Sequence, residues 1–173
     1  MATSLQLITT TTGSGSSTVS VTDCFTSQYD NYVINIEDMI FSSRAGVNMR
    51  LINSSGVSSV AEYDRAQLQL RNDSSFTQTR NSDQTSFQTI SATSGGADEF
   101  GGTWIELFNP NIASAFTFAL MSHSSYYDIV TGDLLGYKYI GAYKVEEAVT
   151  GFQLIHGGGF NFDTLKVNVF GVL

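Results

Sequence analysis

Residues 165–170, Leu-Lys-Val-Asn-Val-Phe, and residues 116–122, Phe-Thr-Phe-Ala-Leu-Met-Ser, alternate with a period of two. Successive side chains of an extended chain leave opposite faces. The first segment therefore sets Leu165, Val167 and Val169 against Lys166, Asn168 and Phe170. The second sets Phe116, Phe118 and Leu120 against Thr117, Ala119 and Met121, and the bulkier apolar set is expected to face the core. Leu68 and Leu70 stand against Gln67, Gln69 and Arg71 in the same manner, and a slip of one residue would bury that polar set.

Similar short runs rich in Val, Ile, Tyr, Phe and Thr recur along the whole chain, separated by Gly, Ser, Asn and Asp. Beyond the three just named, they are Ser4–Thr10, Ser17–Asp23, Tyr32–Glu37, Asn48–Asn53, Ser86–Ser91, Thr103–Phe108, Tyr137–Val145 and Phe152–His156. Turns every ten or so residues predict an all-β fold: a single-domain antiparallel β-sandwich spanning 1–173, jelly-roll-like, with about ten short strands. Ser59–Leu70 has some helix-compatible spacing at Glu62, Arg65, Ala66 and Gln69, and is read as strand. Thr9–Ser17 and Ser91–Gly102 are low-complexity and are expected to be flexible loops, near 9–17 and 91–102. Asn109-Pro110 is expected to end the strand carrying Trp104.

Composition agrees with that class. The 173 residues include 22 Ser, 18 Thr and 16 Gly, against one proline and 14% charged residues. Eight basic and 16 acidic residues give a net charge of −8, the wrong sign for displacing counterions from nucleic acid or for an anionic membrane surface. The charge is uneven. Residues 1–43 carry four acids and no base, while Arg44, Arg50, Arg65, Arg71 and Arg80 fall in one window. That window is either a docking surface for an acidic partner or, more ordinarily, solubilising charge. The one cysteine, Cys24, excludes an internal disulfide and reads as a small buried hydrophobe. MATSLQLITTTT lacks the basic and apolar regions of a signal peptide, and no segment approaches the about 18 apolar residues of a membrane span. Synthesis and assembly in the cytoplasm are expected.

Catalytic motifs are lacking: no phosphate loop, no nucleophile elbow, no paired-cysteine or HExxH site, and so no enzyme and no cofactor is expected. His123 reads as a rim residue and His156 as a core-edge residue. Asp98-Glu99 and Glu146-Glu147 carry oxygens that suit calcium, yet lack the alternating ladder of a calcium loop, so solvated acid is the default. Asp128 and Asp133 bracket a turn at Thr131-Gly132. Of the aromatics, Tyr137, Tyr139 and Tyr143 share one face, whereas adjacent Tyr126 and Tyr127 cannot both be core. Trp104, Tyr126 and Tyr127 are the residues a glycan would stack on, although Trp104 inside a strand is equally suited to the core.

Five segments carry a family resemblance: FTSQYDNYVINIEDM (Phe25–Met39), NMRLINSSG (Asn48–Gly56), AEYDRA (Ala61–Ala66), GGTWIELFNP (Gly101–Pro110) and GFQLIHGGGFNFDTLKVNVFGVL (Gly151–Leu173). Their phrasing resembles small jelly-roll virion structural proteins of tailed phages, especially marine and cyanobacterial ones. The resemblance implies a capsid decoration or knob protein, or a tail-fibre component, on the virion surface. It carries no catalytic residue. Neither does the chain have a coiled-coil stalk, which favours compact attachment over a long fibre. The partners it implies are other virion proteins, the major capsid protein or an appendage protein. Strand edges with little proline or lysine to blunt them and a large Phe and Tyr count separately suggest a small homo-oligomer or seating on another virion protein, and exposed aromatics a host-surface glycan.

Overall fold

Alternating Val, Ile, Tyr and Phe on one side of each strand can be buried only against a second such surface, and here the chain supplies both. The computed structural model describes residues 4–41, 45–73, 76–93, 100–128 and 133–173. Among them it has thirteen strands: β1 (Leu5–Gly13), β2 (Thr18–Val21), β3 (Asn31–Phe41), β4 (Ala45–Asn53), β5 (Gly56–Val57), β6 (Tyr63–Arg71), β7 (Thr77–Gln84), β8 (Phe87–Thr93), β9 (Phe100–Phe108), β10 (Thr117–Asp128), β11 (Asp133–Tyr143), β12 (Gly151–His156) and β13 (Phe162–Val172). An eight-stranded sheet runs β1-β13-β3-β9-β10-β11-β6-β7; a five-stranded one joins β2-β12-β4-β5, with β8 also on β4. All pairings are antiparallel. The all-β sandwich expected from the alternation is what forms. The sheet order also contains the meander β9-β10-β11 and the hairpin β6-β7.

Between the sheets lie Tyr32, Ile34, Ile36, Ile105, Leu107, Val167 and Val169 of the larger sheet, facing Val47, Met49, Leu51, Phe87, Phe152 and Leu154 of the smaller. Phe25 stacks on Phe152 and meets Tyr32 edge-on, with centroids 5.9 and 4.8 Å apart. Tyr63 crosses from one sheet to the other. Its hydroxyl accepts from the Leu51 amide at 3.0 Å and donates to the Ser58 carbonyl at 3.1 Å, while its ring edge meets Phe87 at 4.9 Å.

The structure corrects several expectations. Thr9–Gly13 is not loop: it belongs to β1, bonded to Leu165–Val169 of β13, because a threonine run suits an edge strand once a neighbour offers its backbone. The stretch 91–102 is strand at both ends, in β8 and β9, and its middle lies outside the described residues. β7 (TQTRNSDQ) and the two-residue β5 escape the sequence pattern, β7 because it is exposed almost throughout and has no apolar face.

The faces of β10 are the reverse of those expected. Thr117, Ala119 and Met121 are buried, while Phe118 (47% exposed) and Leu120 point outward, with Phe116 exposed just before the strand. β6 behaves alike: Leu68 and Leu70 are exposed and Gln67, Gln69 and Arg71 half-buried on the inner side. The expected side is correct in β13, where Leu165, Val167 and Val169 are buried.

Among the described residues, the non-glycine positions with φ near +50° are Asp23, Asp38, Asp83 and Asn109, side chains that tolerate the left-handed region. Asn109 ends β9 directly before Pro110, its amide bonded to the Asp30 carbonyl, as the Asn-Pro reading anticipated.

Candidate binding surface

The titratable groups with the most distorted surroundings are structural. His123 is not a rim residue: it is 5% exposed and stacked beside Tyr137. The Gly102 carbonyl, 3.1 Å from Nδ1, can only accept, so Nδ1 carries the proton; Nε2 then accepts from the Ser125 hydroxyl at 3.0 Å. The Thr103 hydroxyl stands 2.9 Å from Nδ1. Burial strips water from the charged form and holds His123 at about 4, well below its ordinary 6.5. A hydroxyl beside an imidazole has the outline of a nucleophile and base, but Ser125 is 2% exposed and cannot meet a substrate. The signal in the sequence is His-Ser-Ser, whose first and third residues share a face.

His156 is buried, edge-on to Phe41 and Phe162, as a core-edge residue should be. Cys24 is buried and its thiol is pushed up to about 12 by loss of solvation, which leaves it an inert hydrophobe. Glu147 is tied into the sandwich rather than solvated: it accepts from Tyr143 at 2.6 Å and from Asn53 at 2.8 Å, while Glu146 is exposed. Asp98, Glu99, Thr131 and Gly132 lie outside the described residues; Asp128 and Asp133 pair across the end of the β10-β11 hairpin. Three acids do converge, Glu62, Asp64 and Asp83, but around the Lys144 ammonium, at 3.6, 3.1 and 2.7 Å. No cluster of three or more potential metal ligands occurs among the described residues. Among the same residues no helix is long and apolar enough to cross a membrane.

The arginine window does not form one patch. Arg50, on the smaller sheet, bonds the Thr85 carbonyl; Arg65 is half-buried beside Asn81; Arg71 pairs with Asp73 at 2.8 Å; Arg80 is exposed on β7. A period-two chain sends these residues to different faces, and Arg44 lies outside the described residues.

What the fold does assemble is the outer face of the eight-stranded sheet. Register places Leu7, Phe170, Val33, Glu106, Leu120, Ile140, Ala66 and Arg80 side by side in one row across all eight strands. The next row holds Asn35, Trp104, Ser122, Lys138, Leu68 and Gln78. Ile140 is 57% exposed and Trp104 38%, so Trp104 is a surface residue and not core. Its indole donates to Glu106 at 3.2 Å, which ties the ring down along β9. Between β9 and β7 the two rows form a groove of about 970 Å³, with Trp104 and Glu106 on one side, Gln78 and Arg80 on the other, and an aliphatic floor of Leu68, Leu120, Ala66 and Ile140. Contiguous apolar surface of this kind on a rigid sheet marks a contact site. Of the stacking residues expected for a glycan, Trp104 lies here; the side chains of Tyr126 and Tyr127 lie outside those described. Tyr137, Tyr139 and Tyr143 face inward and are buried.

No protein-family model matches the chain, and no curated protein matches it in sequence.

Proposed function

We propose that this chain is a non-enzymatic virion structural protein of a tailed phage, a jelly-roll-like decoration or knob protein seated on the outer capsid surface. It works by shape and surface contact, and the outer face of the eight-stranded sheet is a contact surface of its assembly in the particle. The observation that carries this reading is the exposed patch of Leu120, Ile140, Leu68 and Trp104, spread over two adjacent rows of a sheet whose other side packs on its own core. Apolar side chains held out on rigid strands lose little conformational freedom on docking. The phage assignment is supported by the phrasing of Phe25–Met39, Gly101–Pro110 and Gly151–Leu173.

Mass spectrometry of purified particles tests the assignment, with the chain expected at tens or more of copies per particle. Exchange of Ile140→Asp in the phage tests the surface: incorporation should fall sharply, and wild-type incorporation would refute it. A second reading, a carbohydrate-binding module aiding host adhesion, is favoured by Trp104 on the wall of a groove with Gln78, Ser122 and Lys138 at hand. A glycan array answers it: binding lost in Trp104→Ala supports the module, and no binder above background removes it.

A further inference from the structure

We propose that the outer face of the eight-stranded sheet is self-complementary and pairs with a second copy of this chain about a twofold axis that runs parallel to the strands along β11. The inference rests on the reading of that face as a contact surface, and names its occupant. In the row Glu106, Leu120, Ile140, Ala66, Arg80, the 57% exposed Ile140 is central. Glu106 lies two strands to one side and Arg80 two strands to the other, so the row is antisymmetric in charge about Ile140.

A twofold axis along β11 lays each row on its own copy, reversed. Glu106 then meets the second copy's Arg80, and Arg80 its Glu106, giving two opposite-charge pairs around an apolar centre. Bulky Leu120 meets small Ala66, and Leu68 meets Ser122, so large side chains oppose small ones on both rows. The twist permits the pairing, since a twofold axis parallel to the strands lays one saddle on a complementary saddle. The groove opposes it, because walls meet walls and the two floors must close the space between them.

The extent of the face is adequate. Five strands at about 4.8 Å and eight residues at about 3.3 Å span on the order of 600 Å². That approaches the roughly 800 Å² per partner of an ordinary stable interface. An aliphatic floor also suits a protein surface better than a sugar, which takes aromatic platforms and fixed hydrogen-bonding groups. One contact opposes the pairing: Lys138 lies on the axis in the adjacent row and meets its own copy.

Sedimentation equilibrium of the full chain, from micromolar to millimolar, tests the proposal. The wild type is expected to dimerise with concentration, and Ile140→Asp to stay monomeric with an unchanged β spectrum. Arg80→Glu and Glu106→Arg should each weaken the dimer about tenfold or more, and the double exchange should recover most of that loss. Lys138→Met should tighten it. A wild type that is monomeric at the highest concentration overturns the proposal, as does a double exchange no tighter than either single one. Monomeric wild type retained on a polysaccharide column through Trp104 overturns it too. If the wild type is monomeric while Ile140→Asp is still excluded from particles, the second copy is wrong and the contact surface stands; if Ile140→Asp is incorporated normally, the surface itself is wrong.

Discussion

His123 is a basic side chain that the fold keeps neutral, and this makes stability depend on pH in a calculable direction. Its folded value is about 4 against an ordinary 6.5. Above 6.5 neither the folded nor the unfolded chain carries the proton, so the full contribution is present. As pH falls from 6.5 towards 4 the unfolded chain takes up a proton that the folded chain refuses, and stability drops by up to about 3 kcal/mol. The lowered carboxylates Glu37 and Asp64 add their losses only further down, as pH falls through and below their unfolded values. Urea titrations at pH 7, 6 and 5 should therefore show a falling midpoint in the wild type and a flatter one in His123→Gln; equal profiles would disprove the assignment. Tyr63 makes a second prediction. Tyr63→Phe leaves the ring contacts in place but strands the buried Leu51 amide and Ser58 carbonyl, and should cost about 1–3 kcal/mol in equilibrium unfolding. An effect near zero would mean that water or a shifted strand takes over both groups.

Strand β10 has two apolar faces, only one of which is inside. Truncation on the inner face leaves a cavity, so Met121→Ala should cost about 2–5 kcal/mol. Leu120→Thr and Leu68→Gln, on the outer face, should each stay within about 1 kcal/mol in the monomer, measured at low protein concentration. The reverse ranking would restore the faces that hydrophobicity alone suggests. That inversion marks the limit of what was legible in the chain. Period two locates a strand and divides its side chains into two sets, and all eleven strands it located are present. It does not say which set is inside. The usual rule, that the bulkier apolar set is buried, fails wherever the other side of the sheet is apolar for its own reasons. β13 obeys the rule because its alternate side carries Lys166 and Asn168; β10 breaks it because its alternate side carries Phe118 and Leu120. β7 was illegible for the opposite reason, since a strand that buries nothing has no pattern to find. The groove was illegible as well, because its walls come from β7 and β9 and meet only through the register of the sheet.

Across the whole molecule the two sheets are unequal, and that asymmetry sets where the fold is firm and where it is soft. The five-stranded sheet covers β13, β3, β9 and β10, whose inner residues Val167, Ile34, Ile36, Ile105 and Met121 are buried. At the far edge β7 bonds to β6 alone, and its side chains are exposed almost throughout. The inner face of β6 there carries Arg65, Gln67, Gln69 and Arg71, half-buried and polar in place of a core. Opening β7 exposes little apolar surface and breaks a single ladder, whereas opening β13 breaks the ladders to both β1 and β3 and exposes Leu165, Val167 and Val169. The free energies of the two openings should differ by most of the global stability. Native-state hydrogen exchange is therefore expected to rank the amides of β3, β9 and β13 slowest, near the global unfolding limit, and those of β7 fastest. Apolar contact over the outer face would order side chains without adding backbone bonds to β7, so the ranking should persist in a face-to-face pair. Protection of β7 equal to that of β13 would mean that its free edge is covered by another strand, and that copies associate edge to edge.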